Sequence, residues 1–195
     1  MKILEGGPPS SHPDPRAKYP GIGSGNVPEE SLEQEPSQIE FQDLYFASHR
    51  QLSNQQQFAV DRYIKSTYIP INQDLRDGKE VDTEILDSCF TETSRDWVVY
   101  RGLNGESISS RELGSVEEDK GFVSTSISAA TASNFSRMTS YGLNIARIRI
   151  PKGSKICVGS LGEQEIILPR NTKFKLTSKT KLIEHYVVSD YEIVE

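Results

Sequence analysis

The sequence predicts an α+β domain, with helices first and mostly antiparallel strands after them. Between Phe41 and Phe90 apolar residues recur at helical spacing, and from Trp97 onward they gather into short β-branched and aromatic runs. Helical patterns do not alternate with those runs, as the crossovers of a parallel sheet require.

The first element is a leader, residues 1–38. From Gly6 to Ser37 it is rich in Pro, Gly, Ser and Glu and holds few large apolar residues to offset ordering entropy, so the spacing predicts disorder. Gly21-Ile22-Gly23-Ser24-Gly25 neither follows an apolar strand nor opens a helix, and reads as flexible linker, not as a dinucleotide loop. The folded domain then spans 39–195. Leu52, Phe58, Ala59, Tyr63 and Ile64 mark helical steps; Pro70 divides the segment, Asp77-Gly78 closes a second helical piece, and Asp82 to Leu86 forms another short helix. Strands are expected at Trp97 to Tyr100, Gly121 to Ser126, Ile145 to Ile150, Glu165 to Leu168, Lys173 to Leu176 and His185 to Val194, with one helix near Ala129 to Met138 among them.

Composition removes several function classes. The formal net charge of -6 over 195 residues disfavours a broad nucleic-acid surface, while leaving room for a local basic cleft. Cys89 and Cys157 are too few for a disulfide framework, and with the scattered His12, His49 and His185 they lack zinc-site spacing. Met1 to Gly7 has one lysine and no long apolar stretch, and no run reaches a membrane span, so a soluble chain without a Sec-type signal is expected.

Three short motifs carry chemistry. In an extended reading of Gly162-Glu163-Gln164-Glu165, the two glutamates share a face and enter one cavity, an arrangement that is electrostatically costly unless used. In Gly121-Phe122-Val123-Ser124-Thr125-Ser126, alternation puts Ser124 and Ser126 on one face. Val98-Val99-Tyr100-Arg101-Gly102 ends an apolar strand in an arginine and a glycine whose backbone admits close approach. Each alone also fits a bland reading: an acidic turn, a Ser/Thr-rich strand, a surface arginine at a strand exit.

Their order and spacing together resemble the Arg-Ser-Glu class of mono-ADP-ribosyltransferases, which includes clostridial binary toxin catalytic subunits, bacterial type III effectors and bacteriophage enzymes. The likeness runs from Tyr68 to Leu176. Tyr68-Ile69-Pro70-Ile71-Asn72-Gln73-Asp74-Leu75-Arg76 is similar to that family's helical Tyr-x-x-Ile-Asn-x-x-Leu-Arg segment, and Phe135 follows Ser124 at the family's distance for a nicotinamide-side aromatic. Pro70 departs from the pattern, and the second phosphate-binding arginine has no clear position, Arg137 being the nearest candidate.

The resemblance implies N-terminal helices packed on a mostly antiparallel β core split into two sheets, with NAD+ as co-substrate and no metal. It makes Glu165 the catalytic carboxylate, bonding the 2'-hydroxyl of the nicotinamide ribose, with Ser124 holding it in place. Arg101 would pair with the phosphates, Gly102 would bond the carboxamide, and Phe135 would pack on nicotinamide. Tyr68, Asn72, Thr125 and Ser126 would complete the dinucleotide site. Glu163 would direct transfer to arginine. The expected partner is a protein substrate of a host cell, met by a monomer acting as a delivered toxin or effector, with no nucleic acid bound. An NAD+ glycohydrolase, or a catalytically silent interaction module using the leader or the turn at Gly159 to Gly162, is compatible with the same residues.

Overall fold

In the computed structural model, which describes residues 38–103, 112–136, 138–139, 142–178, 181–183 and 186–194, four helices precede the first strand: α1 (Gln38–Gln51), α2 (Asn54–Arg62), α3 (Tyr68–Arg76) and α4 (Glu84–Asp87). Residues 1–37 of the expected leader, and Arg137, lie outside the described residues. Ser53 starts α2 with a reciprocal capping box to Gln56. Past α3, Gly78 takes φ +76°, which closes the helix where Asp77-Gly78 was expected to.

Pro70 does not divide the helical segment. It sits in the first turn of α3, where a missing N–H leaves no intrahelical bond unmade. The interruption lies upstream, in a π-helical turn at Tyr63–Thr67 that joins α2 to α3. Phe58, expected on the inner face, is 68% exposed, while Val60 and Tyr63 are buried. The inward stripe of α2 begins with a polar residue, Gln56, whose amide donates to the Ser88 carbonyl at 3.0 Å, so apolar spacing alone misplaces the face.

The strands are β1 (Thr91–Glu92), β2 (Trp97–Gly102), β3 (Val116–Asp119), β4 (Val123–Ser126), β5 (Met138–Thr139), β6 (Gly142–Ile150), β7 (Lys155–Val158), β8 (Glu165–Leu168), β9 (Thr172–Leu176), β10 (Lys181–Ile183) and β11 (Tyr186–Val194). Helix α5 (Ala129–Ser133), capped by Ser128, follows β4 and stops earlier than expected, because Met138–Thr139 pair with β6. All six expected strands form; β1, β3, β5, β7 and β10 were not anticipated. Acidic, half-exposed β3 has no apolar alternation to reveal it.

The expected split into two sheets is not what forms. Hydrogen bonding runs unbroken through the order β1-β7-β8-β4-β2-β6-β11-β9-β3, antiparallel throughout except for the parallel β6–β11 pair. The path narrows to one residue pair, Tyr100↔Ser126, between β2 and β4. Around that seam the sheet curls, so Val99 and Ile148 from one side share a core with Val123, Ile166 and Leu168 from the other, closed by Phe41 of α1. The opposite face of β4, β7 and β8 packs Phe122, Cys157 and Ile167 against Val60, Tyr63 and Leu75 of the helices. Ser124 lies opposite Ile167, and Ser126 opposite Glu165, so register points all of these toward the helical side.

Within the parallel pair, Asp190 faces Arg147 and accepts from its Nε at 2.6 Å, with Ser178 and Lys181 also on the carboxylate. Burial raises the Asp190 carboxyl, but the Arg147 and Ser178 bonds outweigh it and hold it below the usual carboxylate range. A folded-state value below the unfolded one stabilises the fold above the unfolded value, and that stability is lost as pH falls through the folded value. Asp190→Ala is therefore expected to destabilise by about 3 kcal/mol at neutral pH, by removing the carboxylate that Arg147, Ser178 and Lys181 share. Chemical denaturation of both proteins checks this, and the gap between them should close on acidification.

Candidate active site

A cleft of about 780 Å³ opens where β2 and β4 part beyond the Tyr100↔Ser126 pair, under α3 and the turn after α5. Arg101 stands at this opening. Its Nη1 donates to the Ser124 carbonyl at 2.9 Å, bridging the two strands where their ladder has stopped. Burial pushes the guanidinium's pKa down, and Asp119 acts on it only through space. That acid is already bonded to Arg76 Nε and Nη2, both at 2.9 Å. Among the described residues no carboxylate forms an ion pair with Arg101. A half-buried cation with no ionic partner among the described residues favours an anionic ligand in the cleft.

Glu165 opens β8 at the cleft floor, only 6% exposed. The Ser160 N–H donates to Oε2 at 3.1 Å, and Ser124, on the same cleft and on the same face of the adjacent strand, also favours the ionised form. Burial raises the carboxyl above its usual range; Ser124 and the Ser160 bond pull it down, and the Glu163 charge pushes it up. Gly159 makes this seat possible. A Cβ there would lie 2.3 Å from Glu165 Oε2, inside van der Waals contact.

Glu163 reaches the same cleft by a different backbone path from the one expected. Gln164 has φ +50°, so the two glutamates are not alternate residues of one strand. Instead a turn closes onto β8, with Glu165 N donating to the Ser160 carbonyl and the Ser126 hydroxyl donating to the Glu163 carbonyl at 2.8 Å. Both carboxylates still line the cleft, with Glu163 exposed and Glu165 beneath it.

The remaining expected residues divide by environment. Phe135 and Tyr68 are 54% and 41% exposed on the rim, available to a planar ligand. Thr125 and Ser126 line the cleft but use their hydroxyls internally, on the carbonyls of Ile166 and Glu163. Asn72 is buried, accepting from the Phe122 N–H and donating to the Tyr63 hydroxyl, both at 2.8 Å. Gly102 is needed for packing as well as for approach: a Cβ would meet the Ala132 carbonyl at 2.5 Å and the Phe135 backbone at 2.6 Å. Sequence reasoning passed over Tyr63, which it counted as core, and Gly159 as a seat for a carboxylate. It left Arg76 without a role, although the matched segment ends on it. Among the described residues no cluster of His, Cys, Asp or Glu is arranged to hold a metal, and no helix is long and apolar enough to cross a membrane.

A curled mixed sheet, with a buried glutamate in its cleft and an arginine at its seam that pairs with no described carboxylate, sets the class. The sequence profile of the ADP-ribosyltransferase exoenzyme family matches residues 41–192, and the chain belongs to that family. No curated protein matches it. Among solved structures it is similar to Plx2a, an ADP-ribosyltransferase toxin from Paenibacillus larvae, with TM-score 0.66 and 18% identity over 81% of this chain and 96% of the other. It is similar to C2-I, the enzymatic component of the C2 toxin of Clostridium botulinum, with TM-score 0.67 and 23% identity over 86% of this chain, which spans only 49% of that protein. C3stau2 from S. aureus, solved with NAD, gives TM-score 0.68 and 17% identity over 85% of this chain and all of the other. At these identities the likeness is one of fold. Family membership makes the chain an ADP-ribosyltransferase and implies NAD+ as its co-substrate.

Proposed function

We propose that residues 39–195 transfer ADP-ribose from NAD+ to an arginine side chain of a target protein, releasing nicotinamide. The observation that carries this reading is one cleft, shared with Ser124, that holds a buried carboxylate bonded by the Ser160 N–H beneath a second, exposed one. As the bond between nicotinamide and C1' of the ribose breaks, its electron pair leaves with nicotinamide and positive charge develops on the sugar. Glu165, with its acceptor oxygens already oriented, bonds the 2'-hydroxyl and stabilises that charge. Arg101, unpaired among the described carboxylates, receives the phosphates with a permanent charge and forked donors. Arg76, on the same cleft, supplies the second cation that the motif left unplaced. Gly102 and Phe135 close the nicotinamide end, with Tyr68 on the rim.

Glu163 gives the reading its acceptor. An exposed carboxylate at the mouth attracts a guanidinium and takes the proton it loses when its nitrogen attacks C1'. Glu163→Gln is expected to lower protein labelling by about a hundredfold while nicotinamide release stays within about threefold. Labelled NAD+ followed into protein and into free nicotinamide measures both; equal losses would overturn this division of labour. Nicotinamide release with no acceptor labelled by the wild type would instead identify an NAD+ glycohydrolase. The toxins among the similar structures support a protein of a host cell as target.

A further inference from the structure

We propose that Ser160 is a positioning residue for Glu163: its hydroxyl braces the peptide that carries the exposed carboxylate, while its backbone seats Glu165, so one residue holds both glutamates by separate atoms. The inference rests on the acceptor role proposed above for Glu163. The turn from Gly159 to Glu165 folds back on itself, with Gly159 N donating to the Glu165 carbonyl and Glu165 N to the Ser160 carbonyl, both at 2.9 Å. The Ser160 N–H also reaches Glu165 Oε2 at 3.1 Å. The main chain of Ser160 is thereby committed to Glu165. Its side chain serves the other acid. Ser160 Oγ accepts from the Glu163 N–H at 3.2 Å, a side-chain oxygen standing where a carbonyl would close the turn.

The far side of Glu163 is bonded as well, because the Ser126 hydroxyl donates to its carbonyl at 2.8 Å. Glu163 thus sits between two serine hydroxyls, one from its own turn and one from β4. Its carboxylate is exposed, so the backbone sets where it stands at the cleft mouth. The rest of the turn is anchored independently. Leu161 packs on the core and its carbonyl accepts from Gln164 N at 3.2 Å, and the Gln164 carbonyl accepts the Ile127 N–H at 3.1 Å. Gly162 is not what shapes the turn: its φ lies outside the left-handed region, and a Cβ there would meet only Ser160 Oγ, at an ordinary 3.8 Å. The place of Glu163 depends on a hydroxyl, not on a glycine's freedom.

Ser160→Ala removes that hydroxyl and keeps the backbone bonds to Glu165, whereas Ser160→Thr keeps the oxygen. With agmatine, a small guanidine, as acceptor for the full chain, Ser160→Ala is expected to lower the ratio of agmatine labelling to nicotinamide release about fivefold. The KM for agmatine should rise while that for NAD+ stays within about twofold, and Ser160→Thr should restore the ratio. A merely structural loss would lower both products together and leave the ratio where it was. Gly162→Ala, a control in the same turn, should keep the ratio within about twofold. Amide exchange followed by nitrogen-15 NMR reads the brace itself: in Ser160→Ala the Glu163 N–H should exchange about fivefold faster and the Glu165 N–H should not. An unmoved ratio, an unmoved Glu163 exchange rate, no rescue by threonine, or an equal fall in Gly162→Ala would overturn the proposal. A wild type that labels no agmatine while its Glu163 amide still responds to Ser160→Ala would leave the brace standing and sink the arginine reading.

Discussion

Glu165→Gln is expected to lower NAD+ cleavage by about a thousandfold, the upper range for removing one preorganised charge-stabilising group, and to leave the fold at least as stable at neutral pH. The two effects have one cause. Burial raises the Glu165 carboxyl in the folded state, and Ser124 and the Ser160 bond only partly offset it. A group whose folded value lies above its unfolded value stabilises the fold while protonated and loses that contribution as pH rises through the folded value. The ionised carboxylate that the proposed mechanism needs is thus the form that folding disfavours, a common trade between stability and activity. Thermal unfolding across pH checks the sign: the advantage of Glu165→Gln over wild type should grow from acid to neutral pH. An advantage that shrinks instead would show that the seat stabilises the carboxylate outright.

The second large effect lies at a residue with no chemistry of its own. Gly159→Ala is expected to lower kcat about a hundredfold, because the new Cβ falls 2.3 Å from Glu165 Oε2 and the carboxylate must leave its place. The atoms that have to give are the far end of the Glu165 side chain, so the fold accommodates the methyl and unfolding should shift by about 1 kcal/mol or less. Full activity in Gly159→Ala would mean that the seat described here is not the one used in turnover.

The sequence made the candidate site's residues legible further than the architecture. Ser124, Arg101, Glu163 and Glu165 stand out as short motifs in a fixed order, and they meet in one cleft because β4 and β8 pair in the register that sets Ser126 opposite Glu165. Most strands with strong apolar content were readable, although β7, with buried Ile156, Cys157 and Val158, was not, whereas edge strand β3 and the short pairings of β1, β5 and β10 depend on partners and not on their own composition. The continuity of the sheet hangs on the single Tyr100↔Ser126 pair, which no pattern announces. Gly159 was hidden for a related reason. A glycine before a turn reads as part of that turn, and its importance comes from the carboxylate of Glu165, six residues later, which the turn brings back against it. The i, i+2 reading of the two glutamates reached the right cleft by the wrong backbone, since Gln164 is left-handed.

The most direct test of arginine transfer is incubation with isotopically labelled NAD+ and a cell lysate, followed by mass-spectrometric localisation of ADP-ribose on acceptor peptides. The transfer mechanism predicts label on arginine side chains with the wild type and none with Glu165→Gln. Label on another residue type, or undiminished labelling by Glu165→Gln, would contradict it.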